Sequence, residues 1–258
     1  MSDTLYIAAS AALDHQTRLE VLANNLANVN TAGFKADDVA FQVEYYTQPQ
    51  GEDPPADAET EVDLERFPSQ DDLPAAIILT GYTDFSGGPS RHTGNSLDVA
   101  LEGNGFFSVN TPSGIQYTRQ GSFTLDQDGR LVTSDGHLVM GEGGEITIEG
   151  QKVTIDEEGY INVDGNEIDR LAIVTFSDLK GLTKVGSSLF ATTDSGQIPE
   201  PAEQAVVKQG FLENANVNAI RMMTDMIAEM RMVEAYQKIV QTADRATSDA
   251  VNTLGTIV

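Results

Sequence analysis

Apolar residues near the start of the chain fall at Leu5, Ala8, Ala12, Leu19, Leu22, Leu26 and Val29, with His15 filling the one gap in an alternating three-and-four spacing. That spacing keeps one stripe of a helix turned toward a partner over nearly four heptads. Asp3 or Thr4 can cap the start and Gly33 can stop the helix. The pattern therefore predicts a helix from about Thr4 to Asn30, roughly 40 Å long at 1.5 Å per residue. The far end mirrors it. From Asn218 to about Thr253 there is no proline or glycine, and the apolar series runs Ile220, Met223, Ile227, Met230, then Val233, Tyr236, Val240, Ala243, Thr247, Ala250 and Leu254. These positions fit two heptad frames joined by a three-residue step between Met230 and Val233, which would locally overwind a supercoil. Two long striped helices at opposite ends are expected to pack on each other or on neighbouring copies.

Between them the period drops to two. Candidate strands are Leu97 to Leu101, Gly105 to Val109, Gln116 to Arg119, Ser122 to Leu125, Arg130 to Thr133, His137 to Met140, Glu145 to Ile148, Lys152 to Ile155, Tyr160 to Val163 and Asp169 to Phe176. They are separated by tight-turn pairs such as Asp128-Gly129 and Asp164-Gly165. Phe123-Thr-Leu-Asp126 followed by Gly129 is echoed by Val153-Thr-Ile-Asp156 followed by Gly159, which predicts two similar hairpins in one sheet. The expected fold class is α+β, with long coiled-coil-like N- and C-terminal helices flanking an all-β middle domain of short antiparallel strands. Residues 1–35 and 209–258 are read as a terminal helical assembly domain and 81–208 as the β-rich domain. Residues 36–80 are read as an extended, acidic, Pro-rich connecting segment, because 47–75 hold five prolines, a run of acids and Arg66 as their only base.

Charge and composition remove several functions. The 258 residues carry 40 Asp and Glu against 15 Lys and Arg, a net charge of −25, so a nucleic-acid partner would be repelled. With no cysteine there is no disulfide, thiolate nucleophile or thiolate metal site, and the apolar runs are too short for membrane insertion. The start Met1-Ser2-Asp3-Thr4 lacks the cationic and apolar regions of a cleaved secretory signal. Asp126-Gln127-Asp128-Gly129 begins like a calcium loop, but Arg130 and Leu131 follow where further oxygen ligands are needed. Gly141-Glu142-Gly143-Gly144 has no following Lys-Ser or Lys-Thr and cradles no phosphate. The three histidines lie in unlike settings, so no catalytic residues, cofactor or metal site are assigned. His15 is read as a packed or interfacial histidine, with a metal ligand or pH switch as the alternative. Five of the seven methionines, Met222, Met223, Met226, Met230 and Met232, fall in one stretch. They suit either core packing or an adaptable interface.

The densest signal is Ala23-Asn24-Asn25-Leu26-Ala27-Asn28-Val29-Asn30-Thr31-Ala32-Gly33-Phe34-Lys35. Asparagine is a poor helix former, so four within seven residues need a purpose, either ending the helix or bonding to adjacent chains. This stretch resembles the N-terminal signature of the bacterial flagellar rod and hook proteins. Gln209-Gly210-Phe211-Leu212-Glu213-Asn214-Ala215-Asn216-Val217-Asn218 is similar to the family's lead into its C-terminal helix. Leu97 to Leu101 with Gly103, Gly105, Phe106 and Phe107, then Tyr117-Thr118-Arg119 with Gly121 and Phe123, resemble its shared β-domain. Where many members have Arg-x-Tyr-Glu-x-Asn-x-Lys, this chain has Arg231, Val233, Glu234, Tyr236 and Lys238.

The resemblance implies a structural, non-catalytic subunit of the flagellar basal-body rod that polymerises helically to transmit torque. Within the family the chain looks most like the proximal-rod kind, with the distal-rod kind second and a calcium-supported β-domain adhesin as the reading outside it. The implied partners are other rod proteins and further copies of the chain, met through the terminal helices, and the flagellar export apparatus. Export is expected without a cleaved signal, with a monomer before assembly in the periplasm. The expected subunit and helix interface comprises Leu5, Ala8, Ala12, Leu19, Leu22, Asn24, Asn25, Leu26, Asn28, Val29, Gly33, Phe34, Ile220, Met223, Ile227, Met230, Val233, Tyr236 and Val240.

Overall fold

The computed structural model describes residues 2–44, 76–186, 188–192 and 197–255. A first helix, α1, spans Ser2–Ala27, and a second, α2, spans Ala219–Gly255. Both lie within two or three residues of the limits expected from their stripes. Asn218 caps α2, accepting through Oδ1 from the Arg221 N–H at 3.1 Å, which satisfies one donor of the first turn. No described helix is long and apolar enough to cross a membrane.

The chain divides into two compact units, Val39–Gly81 and the remainder. The strands Asp37–Glu44 and Ala76–Thr83 pair in a two-stranded sheet. The Pro-rich acidic stretch 47–75 lies outside the described residues.

The larger unit holds the β-domain and both helices. Its ten-stranded sheet follows the path Leu182–Val185, Leu189–Thr192, Gly114–Thr118, Phe106–Thr111, Leu138–Gly141, Leu131–Thr133 and Phe123–Leu125, with three short strands branching from it. A separate three-stranded sheet runs Val153–Ile155, Tyr160–Val163 and Asn166–Arg170. Two further ladders are long-range: Val206–Gln209 pairs antiparallel with Val99–Glu102, and Phe211–Glu213 with Ser90–His92. The apolar positions of the alternating strands meet in one core that includes Val99, Phe107, Phe123, Leu131, Ile161 and Leu171. A satellite cluster stacks Phe106 edge-on to Phe176 and Phe190, at 6.0 and 5.8 Å between ring centres.

The two repeated hairpins share one device. Asp126 Oδ1 accepts from the N–H groups of Asp128 and Arg130 at 2.9 and 2.8 Å, and Asp156 Oδ1 accepts from those of Glu158 and Tyr160 at 3.0 and 2.9 Å. Gly129 and Gly159 close the turns at φ of 75° and 91°, where a Cβ would be strained. These carboxylates are thus taken up by their own turns, and among the described residues no three acidic or histidine side chains converge as metal ligands would. The hairpins lie in different sheets, not one as expected, because the second pairs onward only to Asn166–Arg170. Two other strands are shorter than predicted. Glu145 to Ile148 is a ladder only at Gly144–Glu145, with Thr147 bridging Arg130. Asp169 to Phe176 is broken at Leu171, whose N–H turns to the Gly159 carbonyl at 2.9 Å.

Candidate functional site

Helices α1 and α2 pack antiparallel, since Arg18 meets Glu229 while the earlier Ala9 and Ala12 line a groove with Val233 and Val240. On α1, Ala8 and Leu22 are buried and Ala12, His15, Leu19 and Leu26 are half-buried, as is Val29 in the turn just past the helix end. The side of α2 toward α1 comprises Met222, Met226, Glu229, Val233, Tyr236, Val240 and Ala243. Their four-and-three spacing is one unbroken heptad frame. The expected step at Met230 is therefore corrected. Ile220, Met223, Ile227 and Met230 lie on another side of the helix, at 80, 51, 55 and 49% exposure. The stripe that pairs with α1 passes through a charged residue that an apolar count skips.

That residue, Glu229, sits opposite the polar gap in the α1 stripe. Its Oε2 lies 2.6 Å from His15 Nδ1, its Oε1 lies 3.2 Å from Arg18 Nε, and the His15 ring stacks on Tyr236 at 5.4 Å. Two helices with alternating stripes can slide by a heptad at modest cost, and one paired polar layer disfavours every slipped register.

A second cluster ties the helix ends to the β-domain. Lys35, Arg119 and Glu213 are 1, 5 and 2% exposed, and they come from the three motif stretches of the sequence. Lys35 Nζ donates to Glu213 Oε1 at 2.7 Å and to the Ser86 carbonyl at 2.7 Å. Arg119 approaches Glu213 Oε2 at 3.4 Å and donates to the Gly103 carbonyl at 2.7 Å. The Gly88 N–H donates to Glu213 Oε1 at 2.8 Å. Burial lowers the Lys35 and Arg119 pKa values, and the Glu213 carboxylate opposes it in both. One carboxylate thus serves two buried cations.

The motif asparagines complete the joint within one chain. Asn25, 1% exposed, accepts from the Asp37 N–H at 3.0 Å and donates to the Asp37 carbonyl at 2.6 Å, pairing as a strand residue would. Asn28 Nδ2 donates to the Asn24 carbonyl at 3.0 Å, and its Oδ1 accepts from the Thr31 hydroxyl at 3.2 Å, winding up the helix end. Asn216 accepts from the Ala36 N–H at 2.7 Å and donates to the Asp84 carbonyl at 2.8 Å. Gly33 is in the left-handed region at φ 68°, and a Cβ there would stand 2.3 Å from Arg119 C and Gln120 N. Phe34 is buried under Lys184, whose Nζ lies 4.0 Å from the ring centre and 2.8 Å from Asp37 Oδ2. Asn24 is exposed and Leu5 lies within α1. Of the two purposes left open for the asparagines, Asn28 serves the ending of the helix, and Asn25 bonds to Asp37 of the same subunit. Sequence reasoning left Lys35, Arg119, Glu213 and Glu229 out of the site. The signal for the first three was a lone charge beside buried aromatic and apolar residues in each motif.

Three family models match in chain order: "Flagella basal body rod protein" over residues 5–35, "Flagellar hook protein FlgE/F/G D1 domain" over 100–163 and "Flagellar basal body rod FlgEFG protein C-terminal" over 208–253. The chain is 33% identical to a flagellar basal-body rod protein FlgG of Bacillus subtilis, over 98% of this chain and 99% of the relative. The chain belongs to the flagellar basal-body rod protein family. It is also 35% identical to a FlgG of Borreliella burgdorferi over 98% of both chains, and 31% identical to a FlgF of Caulobacter vibrioides over the full length of both. The matched regions cover α1 and its motif, the part of the β-domain from 100 to 163, and the segment leading into α2 together with most of that helix. A rod protein is a structural element of the basal body and not an enzyme, and it assembles with other rod proteins. The charged clusters described above accordingly hold surfaces together.

Proposed function

We propose that the chain is a subunit of the proximal rod that polymerises helically through its terminal helices to transmit torque. One observation carries this reading: α2 packs one side on α1 and leaves Ile220, Met223, Ile227 and Met230 as an apolar stripe in water. A lone protein gains nothing from such a stripe, while a subunit repeating one heterologous contact builds a helical filament with it. In this reading Leu5, Ala8, Ala12, Leu19, Leu22, Leu26 and Val29 form a coiled-coil-like pair with Val233, Tyr236 and Val240. Asn25, Asn28, Gly33 and Phe34 hold the joint, and Ile220, Met223, Ile227, Met230 and Asn24 meet neighbouring subunits. Residues 1–35 and 209–258 serve as the assembly domain, 81–208 as an outward β-domain and 36–80 as their connection. The subunit leaves the cell interior as a monomer through the flagellar export apparatus and assembles in the periplasm. The absence of cysteine suits that route, since no thiol can mispair in an oxidising compartment.

The proximal position is supported by the short β insert Gly141-Glu-Gly-Gly-Glu-Ile-Thr-Ile and by Val233 and Tyr236, which turn toward α1 where many members carry an aromatic and an amide. The distal position is the second reading, favoured by identities of 33% and 35% to relatives named FlgG. The combined variant Met223→Asp with Ile227→Asp tests the assembly surface. Its melting curve should match wild type to within about 0.5 kcal/mol, as for exposed substitutions, while motility is lost and rods stop short. Normal motility would sink the assignment. Imaging basal bodies after gene deletion separates the positions: growth halted before any distal rod forms supports the proximal one.

A further inference from the structure

The segment 206–216 reaches back to several separate earlier parts of the larger unit. Val99, Ala100 and Leu101 are buried, yet the ladder partner of their strand is Val206–Gln209. Ser90–His92, exposed along its length, is held as a strand by Phe211–Glu213. Gln209 Nε2 donates to the carbonyls of Ser96 and Val153 at 2.8 and 3.0 Å. The Val207 N–H reaches the Glu157 carbonyl at 3.0 Å, and the Gly210 N–H reaches that of Asp98 at 2.8 Å. The Gly33 N–H donates to the Glu213 carbonyl at 2.8 Å, while the Glu213 side chain pairs Lys35 and Arg119.

Without this segment, closing the β-domain would leave unpaired the backbone groups of Val99–Glu102 that face Val206–Gln209 in the ladder. Closing the joint would bury two cations with no carboxylate between them. Each is unfavourable, because unpaired buried polar groups and unpaired buried charges keep their full desolvation cost. We propose that segment 206–216 is the locking piece of the fold: the β-domain and the Gly33-Phe34-Lys35 joint stay open in an incomplete chain and close together when this segment docks. A subunit made or threaded from its N-terminus then stays unfolded until Glu213 emerges, which delays both folding and the presentation of assembly surfaces. The proposal concerns a single chain and stands whichever part of the rod the subunit occupies.

Pulse-labelled hydrogen exchange during refolding of the full chain from denaturant tests it. Amides of Val99–Glu102, Phe106–Thr111 and Val206–Gln209 should gain protection in one shared phase. The Glu213→Gln variant should slow that phase by about tenfold, since the change falls on the closing step. Protection of Val99–Glu102 and Phe106–Thr111 in a phase earlier than Val206–Gln209 would overturn the proposal, whether or not the variant folds. An unchanged refolding rate in a folded Glu213→Gln variant would overturn it as well.

Discussion

Replacing Gly33 by alanine measures how tightly the helix end is pressed onto the β-domain. The backbone at Gly33 has φ 68°, so any Cβ costs about 1–2 kcal/mol in local strain. A larger contribution comes from the approach itself. The added carbon would stand 2.3 Å from Arg119 C and Gln120 N and 2.6 Å from Arg119 O, all backbone atoms that no rotamer change can move aside. Relief requires the two segments to part by about 1 Å, the gap between that distance and ordinary contact. Parting them stretches the 2.8 Å bond from the Gly33 N–H to the Glu213 carbonyl. A buried donor left unmatched costs a further 1–3 kcal/mol or so. The expected loss is about 2–5 kcal/mol, a large share of a domain's total stability. Gly186 supplies the control: its φ is 77° but nothing lies within 4 Å of its Cβ position, so Gly186→Ala should lose only the strain of about 1–2 kcal/mol. Urea denaturation followed by circular dichroism compares the two directly. Equal losses would show that the joint is loose and that left-handed backbone strain alone accounts for the glycine.

The polar layer of the helix pair should show coupling between His15 and Glu229 in a double-mutant cycle with His15→Leu and Glu229→Leu, of about 1–2 kcal/mol for a charge-assisted bond in a half-buried setting. The double variant should recover most of the loss, as apolar residues replace a paired layer, and a coupling near zero would mean the 2.6 Å contact contributes no specificity. Asp126 titrates below the ordinary aspartate range because the backbone N–H of Arg130 is its first stabilising contact, followed by the Arg130 side chain and the Asp128 N–H. A depressed carboxylate contributes stability that is fully present above the unfolded value of 3.8 and is lost as pH falls through the lower folded value. Acid titration by NMR should therefore place the Asp126 midpoint below that of an exposed aspartate, and Asp126→Asn should flatten the acid limb of the stability curve. An Asp126 midpoint at or above 3.8 would contradict the turn geometry.

Period-two patterning located the β-domain because its strands are half-buried and carry their own signal. Leu131–Thr133 and Tyr160–Val163 lie where alternation places them. Strands held by distant partners escaped notice. Ser90–His92 has no apolar face, and Val206–Gln209 is short and mixed, so each becomes a strand only through the other segment of its ladder. The joint was half legible. The three motif stretches were recognisable one by one, but that Lys35, Arg119 and Glu213 share a single buried site depends on tertiary closure that no local pattern encodes.

Helix α2 shows most clearly what a hydrophobic pattern does and does not report. Two stripes run along its first half, Ile220, Met223, Ile227 and Met230 on one side and Met222, Met226 and Glu229 on another. By apolarity alone the first is the better seam, and choosing it forces a three-residue step to join Val233. The chain uses the second, because His15 and Arg18 on α1 offer Glu229 two partners and the heptad frame then continues unbroken through Tyr236 and Val240. A pattern count measures the total apolar surface that a sequence must cover without saying which part is covered inside one subunit. In a monomeric protein the two amounts nearly coincide. Here they differ by a whole helix stripe, and that surplus is what a polymerising rod subunit would retain for its neighbours.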